Sequence, residues 1–453
     1  MPTAIILLLI TTSFGISHSR WLKPTACHFP GIFGFSHIKT GAISVSPVKP
    51  YLCTKFLPLK KEREVLRLIA KTTAGLENVL ADELNALGAQ KIEVMTRAVG
   101  FDADKKLMYK VNYCLRTAIQ VLMQITSFKA GDEQELYNQV YKINWQKYLE
   151  VDKTFAIDAV VSGGRFTHSQ FVAFKAKDAI ADHFRDRLGK RPSVDTHNPY
   201  LRINLHISND LVNLSFNTSG DSLHKRGYRE IVDKAPINEV LAAGLIMLSG
   251  WKGDSHFVDS MCGSATLPIE AAMIAMKIPA GYYRKSYGFM NWQDFEPELW
   301  QEVMQESDGL ICDFDHEIIG SDRSLKAIEI ARQNVRKAHL HKDIRIIKKI
   351  MEEFIPPKAP GLLIINPPYG ERLEEKDIKS LYSSIGDSLK RNFKGFQAWI
   401  ISSDFHALKH IGLKPSKKIT LFNGPLECRF VCFDIFSGSH KEMKRRESDQ
   451  SSV

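Results

Sequence analysis

After Trp251, the pattern of apolar and polar positions alternates between the spacing of strands and the spacing of helices. Short apolar runs such as Leu362–Ile365 are typical of buried strands, and the stretches between them repeat their apolar residues at helical spacing. This alternation predicts a doubly wound α/β sheet. The predicted strands are 256–259, 317–321, 343–348, 361–365 and 396–402, the helices are 266–276, 324–338 and 377–392, and a hairpin over 418–435 closes the order.

The pattern before this half predicts smaller α+β units. The first has a strand at 66–70, a helix over 74–87, a hairpin over 91–102 and a helix from about 104, and it ends near 130. The second has helices at 132–141 and 169–188 and strands at 154–161, 201–207 and 211–216. A basic linker, 221–229, leads to a helix over 236–248.

The first 65 residues do not share this regularity. They open with the apolar stretch Ala4–Ile10 and continue with polar and basic residues. Three interpretations stay open, namely a secretory or organellar targeting segment, a non-native extension and a disordered tail. The polar residues 437–453 are predicted to be disordered.

Composition narrows the possible partners only modestly. The formal net charge is +10, but residues 1–61 contribute seven basic residues and no acidic one, which leaves +3 for the rest. Global charge is therefore weak evidence for nucleic-acid binding. The seven cysteines have no regular spacing, which argues for a reducing compartment and against a disulfide framework or a metal site.

The most informative motif follows the strand at 361–365. Proline cannot continue a strand ladder, so Asn366-Pro367-Pro368-Tyr369 leaves an amide group, a backbone carbonyl and an aromatic ring at the carboxyl end of that strand. Ligands bind at this edge of open α/β sheets. The two oxygens can accept both hydrogens of an exocyclic amine while the ring stacks on its base. The alternative is a loop with a capping Asn.

Two further strand ends suit a nucleoside cofactor. Asp259 is followed by the small-residue turn Cys262-Gly263-Ser264-Ala265, where backbone can approach a ligand closely. Asp322 ends the next strand, where a carboxylate can hold ribose hydroxyls. The alternative role for Asp322 is the N-cap of the following helix.

Together, these motifs resemble a class I S-adenosylmethionine-dependent methyltransferase whose NPPY motif targets an exocyclic amine. The runs HKRGYR, APINEVLAA, DSMCGSATLPIEAA, NPPYGERL and NGPLEC are similar to the bacterial large-subunit rRNA guanine-N2-methyltransferase family. That resemblance covers about 66–436 and implies a Rossmann-like doubly wound methyltransferase domain preceded by an α+β ferredoxin-like module and a THUMP RNA-binding domain. The implied divisions are an extension (1–65), a ferredoxin-like module (66–130), THUMP (131–220), a methyltransferase domain (221–436) and a tail (437–453).

The resemblance also implies the roles of individual residues. Asn366 and the Pro367 carbonyl would hold the guanine amine, and Tyr369 would stack on the ring. S-adenosyl-L-methionine is the implied cofactor. The residues expected to bind it are Asn238, Asp259, Cys262, Gly263, Ser264, Asp322, Met351 and Asn366. Cys262 is interpreted as a small apolar filler because no His base accompanies it.

The chain departs from the family pattern at two positions. Ala265 stands where the family commonly has a second glycine, a change that a turn with negative φ would accept. Ile350 stands where family members often place an Asp that bonds the adenine amine, so adenine recognition is expected from backbone amides near Met351.

Basic residues predict where RNA would bind. The predicted contacts are Lys175, Lys177 and Arg185 on the long helix and His224, Lys225 and Arg226 in the linker. The alternative interpretation of Lys175, Lys177 and Arg185 is that they form an ordinary solvent-exposed helix face. The aromatic insert 282–300 predicts either core packing or a lid over the substrate.

The function implied is an RNA methyltransferase that forms N2-methylguanosine, with 23S rRNA as the favoured substrate. Alternatives are a tRNA guanine-N2-methyltransferase, a DNA adenine-N6-methyltransferase and a non-catalytic RNA-binding assembly protein. RNA is the expected partner, with neither membrane nor metal, and the oligomeric state is open. We expect a cytoplasmic protein, or an organellar one if residues 1–65 are a transit segment.

Overall fold

The computed structural model describes residues 64–229, 237–368 and 375–436. These residues form two sheets flanked by helices. The first half contains β1 (Leu66–Lys71), α1 (Glu77–Ala86), β2 (Gln90–Met95), β3 (Ala98–Ala103), α2 (Lys105–Cys114), β4 (Gln120–Lys129), α3 (Glu133–Lys142), β5 (Thr154–Ser162), α4 (Ser169–Leu188), β6 (Ser193–Val194), β7 (Leu201–Ser208) and β8 (Leu211–Asn217).

The second half has the alternation that the sequence predicts. It contains α5 (Glu239–Ser249), β9 (His256–Asp259), α6 (Thr266–Ala275), α7 (Pro297–Asp308), β10 (Ile318–Asp322), α8 (Leu325–Lys337), β11 (Ile344–Lys348), β12 (Gly361–Ile365), α9 (Glu375–Asn392), β13 (Phe396–Ser402), β14 (Lys417–Asn423) and β15 (Leu426–Asp434).

The strands of the first half form one sheet of eight strands, in the order β2-β3-β1-β4-β8-β7-β5-β6. Strand β4, which the sequence pattern does not predict, joins the two α+β units because it pairs with β1 on one side and β8 on the other. A register shift between Gln124 and Thr126 interrupts the alternation of its side chains. The two predicted α+β units therefore share a continuous sheet.

The second sheet has the order β11-β10-β9-β12-β13-β15-β14. Its first five strands are parallel, whereas β15 runs antiparallel to β13 and β14 runs antiparallel to β15. Buried apolar residues cover both faces of this sheet. Since parallel strands end at the same edge, the residues that follow β9, β10, β11, β12 and β13 meet along one carboxyl edge.

The aromatic insert packs against the first half of the chain. Tyr287 and Phe289 are buried, and the Phe289 ring stacks on Tyr109 with the ring centroids 4.5 Å apart. Helix α7, which the sequence analysis does not predict, adds Trp300 in edge contact with Tyr109 and Tyr113. The core-packing interpretation is confirmed for these residues, and the lid interpretation is wrong for Tyr287 and Phe289.

No helix in the described ranges is both long enough and apolar enough to cross a bilayer. Among the same residues there is no group of three or more His, Cys, Asp or Glu side chains that could hold a metal ion. The apolar stretch Ala4–Ile10 and the tail 437–453 lie outside the described residues.

Candidate active site

The turn after β9 is built around two residues with positive φ. Gly263 has φ 51° and Ala265 has φ 65°. The Cys262 N–H donates to the Ser321 carbonyl at 2.9 Å, and the Ala265 N–H donates to the Cys262 carbonyl at 2.8 Å. Helix α6 begins directly after this turn, so its first N–H groups lie beside the carboxyl edge of the sheet.

The expectation of a negative φ at Ala265 is wrong. A left-handed backbone costs a residue with a Cβ about 1–2 kcal/mol. The Ala265 methyl is fully buried within the apolar core of the second half, so packing holds the residue in this conformation.

Asp322 is bonded to this turn and is not a helix cap. Its Oδ2 accepts from the Gly263 N–H at 3.0 Å, and its Oδ1 accepts from the Ser324 N–H at 2.8 Å. The N-cap of α8 is Ser324, whose hydroxyl accepts from the Ala327 N–H. The alternative of an N-cap role for Asp322 is therefore wrong, because a neighbouring residue has that role.

Buried polar groups without partners surround these two strand ends. Asp259 is 2% exposed, and burial, together with the nearby Asp322 charge, raises the pKa of its carboxyl group well above the usual range. Its Oδ1 accepts from the Met261 N–H, at 3.1 Å. Within the described ranges, the hydroxyls of Ser260 and Ser321 are buried without a hydrogen-bond partner. Such groups are costly unless a ligand bonds them.

Asn366 follows β12, the strand next to the one that leads into this turn. Strand β12 pairs in parallel with β9, with Leu363 opposite Val258, so the chain that follows Ile365 runs next to the chain that follows Asp259. Asn366 Oδ1 is shielded from solvent and has no hydrogen-bond partner in the part of the chain that the structure describes. Pro367 is buried, and Tyr369 lies outside the described residues.

The start of α5 is tied to the same turn. Asn238 is the N-cap of this helix, and its Oδ1 accepts from the Val240 N–H at 2.9 Å, which leaves its NH2 group as a donor. Arg229 donates to the Thr266 hydroxyl at 2.5 Å and to the Ile237 carbonyl at 3.2 Å. Sequence reasoning did not assign Arg229, although it ends the HKRGYR run.

The end of β11 supplies an apolar surface. Ile350 is 39% exposed and precedes a short 3-10 turn that begins at the buried Met351. The Lys349 N–H donates to the Asp322 carbonyl at 3.1 Å, which places this segment beside Asp322. The Glu352 carboxylate accepts from the Ser384 hydroxyl of α9.

Cys262 behaves as the sequence suggests for an apolar filler. Its side chain is 6% exposed and belongs to the core of the second half. Burial raises the pKa of its thiol well above the usual range, and the Asp259 and Asp322 charges act in the same direction. A thiol that stays protonated is a poor nucleophile.

The predicted RNA contacts on α4 lie on the surface and already have charged or aromatic neighbours. The Lys175 ammonium lies over the Tyr137 ring at 5.2 Å, Lys177 pairs with Asp178 at 2.6 Å, and Arg185 pairs with Asp182 at 2.9 Å. At the start of this helix there is a pocket of about 600 Å³. Its lining includes Arg165, Phe166, His168, Phe171 and Phe174.

The three linker residues do not share one environment. Lys225 is exposed and pairs with Asp221 at 3.2 Å. His224 is partly buried against the Ser222 hydroxyl, and burial lowers the pKa of its imidazole. Arg226 is 1% exposed and is ion-paired with the fully buried Glu270 of α6.

The prediction of an RNA contact at Arg226 is wrong. Its guanidinium group points into the protein, where it also donates to the Leu223 carbonyl at 3.0 Å and the Arg116 carbonyl at 2.5 Å. The charge of Arg226 is used to join the linker to α6, because a buried Arg must have anionic or carbonyl partners.

Comparison with protein families finds three matched regions. An RlmL ferredoxin-like domain matches residues 67–122, a THUMP domain matches 130–217, and an RMKL-like methyltransferase domain matches 226–431.

Individual relatives extend over most of the described chain. A ribosomal RNA large subunit methyltransferase K/L of Syntrophotalea carbinolica (strain DSM 2380 / NBRC 103641 / GraBd1) is 39% identical over 82% of this chain and 54% of its own length. The chain thus spans about half the length of the methyltransferase K/L relatives that it matches. A putative RNA methyltransferase of Synechocystis sp. (strain ATCC 27184 / PCC 6803 / Kazusa) is 34% identical over 81% of this chain and 96% of its own.

A solved structure agrees with these matches. A putative methyltransferase, SMU.472, solved in complex with SAH, superposes with a TM-score of 0.75 at 30% identity, covering 83% of this chain and 100% of its own. With the three domain matches, the carboxyl-edge site and these relatives, the chain belongs to the family of methyltransferases that join an RlmL ferredoxin-like domain and a THUMP domain to an RMKL-like methyltransferase domain.

Proposed function

We propose that this protein is an S-adenosyl-L-methionine-dependent RNA methyltransferase that forms N2-methylguanosine, with 23S rRNA as its substrate. The observation that carries the proposal is the shielded Asn366 Oδ1, which has no partner among the described residues and follows the strand that neighbours β9. An acceptor in this position fits a substrate that brings an N–H donor. The names of the relatives, which include rRNA and RNA methyltransferases, support RNA as that substrate.

S-adenosyl-L-methionine is the cofactor, and the residues present fit it. The hydroxyls of Ser260 and Ser321, which have no hydrogen-bond partner among the described residues, and the buried Asp259 carboxyl group are polar groups that a polar ligand would satisfy. Asp322 would hold the ribose, and the amides and small side chains of Cys262, Gly263 and Ser264 would face the methionine part. The Asn238 NH2 group would donate to its carboxylate, while Ile350 and the backbone at Met351 would contact the adenine.

The residues of the chain supply orientation rather than strong acid–base chemistry. The bound cofactor supplies an electrophilic methyl group. The lone pair of the guanine amine is delocalised into the ring, so the nitrogen is a weak nucleophile. Asn366 Oδ1 and the Pro367 carbonyl would each accept one N–H bond of this amine, which favours a pyramidal nitrogen and directs its lone pair toward the cofactor. Tyr369 would stack on the base once it is flipped out of its helix.

The first half of the chain would bind the rest of the RNA. Exposed Phe171 and Phe174 beside Arg165 offer the aromatic and cationic surfaces on which unpaired bases stack. Lys175, Lys177, Arg185, His224 and Lys225 would contact the phosphate backbone. This RNA-binding half favours RNA over a DNA adenine substrate.

The test is mass spectrometry of the nucleosides in 23S rRNA and tRNA from a strain that lacks the gene. We expect loss of N2-methylguanosine from one 23S fragment, restored by the intact gene and not by an Asn366→Ala copy. Loss from tRNA instead would identify the tRNA alternative. An unchanged nucleoside inventory, together with rRNA binding by the purified protein, would support the non-catalytic assembly protein.

A further inference from the structure

An aromatic and cationic pair also lies at the carboxyl edge of the second sheet, apart from the Arg165, Phe171 and Phe174 surface of the first half. The guanidinium carbon of Arg429, on β15, lies 4.1 Å from the centroid of the Phe405 ring, in the loop after β13. This loop is well held: the Asp404 carboxylate accepts from the His406 N–H at 3.0 Å and from the Ala407 N–H at 2.8 Å. The Ser402 hydroxyl in turn accepts from the Asp404 N–H at 3.0 Å. The pair therefore rests on an ordered support.

The strand register places this pair near Asn366. Ile365 is paired with Ile400 on the neighbouring strand, and Ser402, two residues further along, is paired with Arg429 on the next strand. Adjacent strands lie about 4.8 Å apart, so Arg429 is roughly two strand spacings, or about 10 Å, from the strand that ends at Asn366.

Arg429 also differs from other arginines of the chain in its surroundings. Arg67, Arg202 and Arg345 each pair with a carboxylate. Across the described ranges, no carboxylate forms an ion pair with Arg429, and the side chain is exposed. A guanidinium group fixed by an aromatic ring keeps its N–H edge available, and that edge matches two oxygens of a phosphate group.

We propose that Arg429, supported by Phe405, binds an RNA phosphate next to the flipped target nucleotide. The proposal rests on the proposed function, since it needs a base at Asn366. A phosphate suits the site better than an acidic protein surface, because an RNA strand whose base enters the pocket must pass along this edge. Phe405 is a positioning residue: it holds the guanidinium plane and need not touch RNA.

The test compares Arg429→Ala and Arg429→Lys with a matched control, Lys417→Ala. Lys417 is exposed on the same hairpin but is paired with Cys432, away from the Arg429 end. We would measure the affinity of each full-length protein for unmodified 23S rRNA transcript at several salt concentrations, together with its affinity for SAH and its Tm. Arg429→Ala should weaken RNA binding about tenfold and reduce the slope of log K against log salt by about 0.7–0.9.

Arg429→Lys should keep most of the salt slope but bind RNA several-fold more weakly, because an ammonium group lacks the flat two-donor edge. SAH affinity should be unchanged in all three variants. The proposal is overturned if Arg429→Ala binds RNA with the affinity and salt slope of Lys417→Ala, or if it lowers only Tm. If the unaltered protein binds SAH but no 23S transcript, the proposed function fails instead.

Discussion

The Asp322 carboxylate accepts a hydrogen bond from the backbone N–H of Gly263, at 3.0 Å, across 59 residues of sequence. This bond joins the ends of two neighbouring strands, β9 and β10, where the cofactor is proposed to bind. A carboxylate that already holds the turn keeps lone pairs for ribose hydroxyls. One side chain would thus both shape the cofactor site and take part in it.

Replacing Asp322 by Ala should therefore lower SAH affinity by a factor of about 10–100, because both the ribose contact and the support of the turn are lost. Isothermal titration calorimetry would measure the loss. Ser324→Ala is the matched control, since it removes the helix cap alone and should cost about 1 kcal/mol of stability without a comparable loss of affinity. Equal SAH affinity in the unaltered protein and Asp322→Ala would contradict the ribose assignment.

Asn366→Ala should reduce kcat by at least about 100-fold, as removal of a single transition-state hydrogen-bonding group does in other enzymes. SAH binding should change less than threefold, because the amide is assigned to the substrate amine. Single-turnover methylation of 23S transcript and SAH titration would separate the two effects. Asn366→Asp tests the geometry further, as it keeps an acceptor of the same size. Parallel losses of methylation and SAH binding would move Asn366 to the cofactor.

Replacing Ala265 by Gly should change the free energy of unfolding little, whereas replacing it by Val should lower it strongly. Ala265→Gly relieves the positive-φ strain but loses a buried methyl and gains chain entropy in the unfolded state, so the free energy of unfolding should stay within about 1 kcal/mol of its original value. Ala265→Val should cost more than about 2 kcal/mol, because a β-branched residue is strongly disfavoured at positive φ.

Urea unfolding would measure these changes. Ala271→Val serves as the control, since Ala271 is equally buried in α6 and suffers overpacking alone. A smaller loss at Ala265 than at Ala271 would show that the turn can change its backbone.

Asp259 should make the ligand-free protein less stable as pH rises. Its folded-state pKa is raised above the unfolded value of about 3.9, so its favourable contribution is complete below that value and is lost as pH rises through the folded pKa. Asp259→Asn removes this titration and should raise Tm at neutral pH by on the order of 2 °C. Calorimetry at several pH values should show that the increase in Tm caused by Asp259→Asn becomes smaller as the pH is lowered toward 4. A gain that is independent of pH would point to a packing effect.

Arg226 and Lys225 are adjacent in sequence, but replacing each by Ala should affect a different property, namely stability for Arg226 and RNA binding for Lys225. Arg226→Ala leaves the buried Glu270 without its charged partner and should cost about 3–5 kcal/mol of stability. Lys225→Ala removes an exposed pair worth at most about 1 kcal/mol and should instead weaken RNA binding. Denaturant unfolding and filter binding would measure the two effects. A stable Arg226→Ala protein with weakened RNA binding would restore the original RNA-contact prediction.

The sequence predicts those parts of the molecule whose local pattern and long-range packing agree. The apolar run before Asn366 and the small residues at 263–265 indicate their position at the carboxyl edge, although the small residues do not reveal the positive φ of Ala265. Strand β4, which joins the two α+β units of the first half, could not be predicted. The bulge near Ile125 interrupts the alternation of apolar and polar residues on which strand prediction depends. The basic character of HKRGYR likewise gives no sign that Arg226 is buried, since its partner Glu270 is 44 residues away.

The packing of Phe289 and Trp300 against Tyr109 and Tyr113 has a consequence for how a target is selected. The catalytic half is fastened to the first half by a shared aromatic core, and the linker 221–229 is itself pinned by buried Arg226. The linker is therefore not a flexible tether. If the proposed function holds, the spacing between the RNA-binding surface of the first half and Asn366 is fixed. The guanine that reaches Asn366 would then be the one at that distance from the RNA segment bound by the first half.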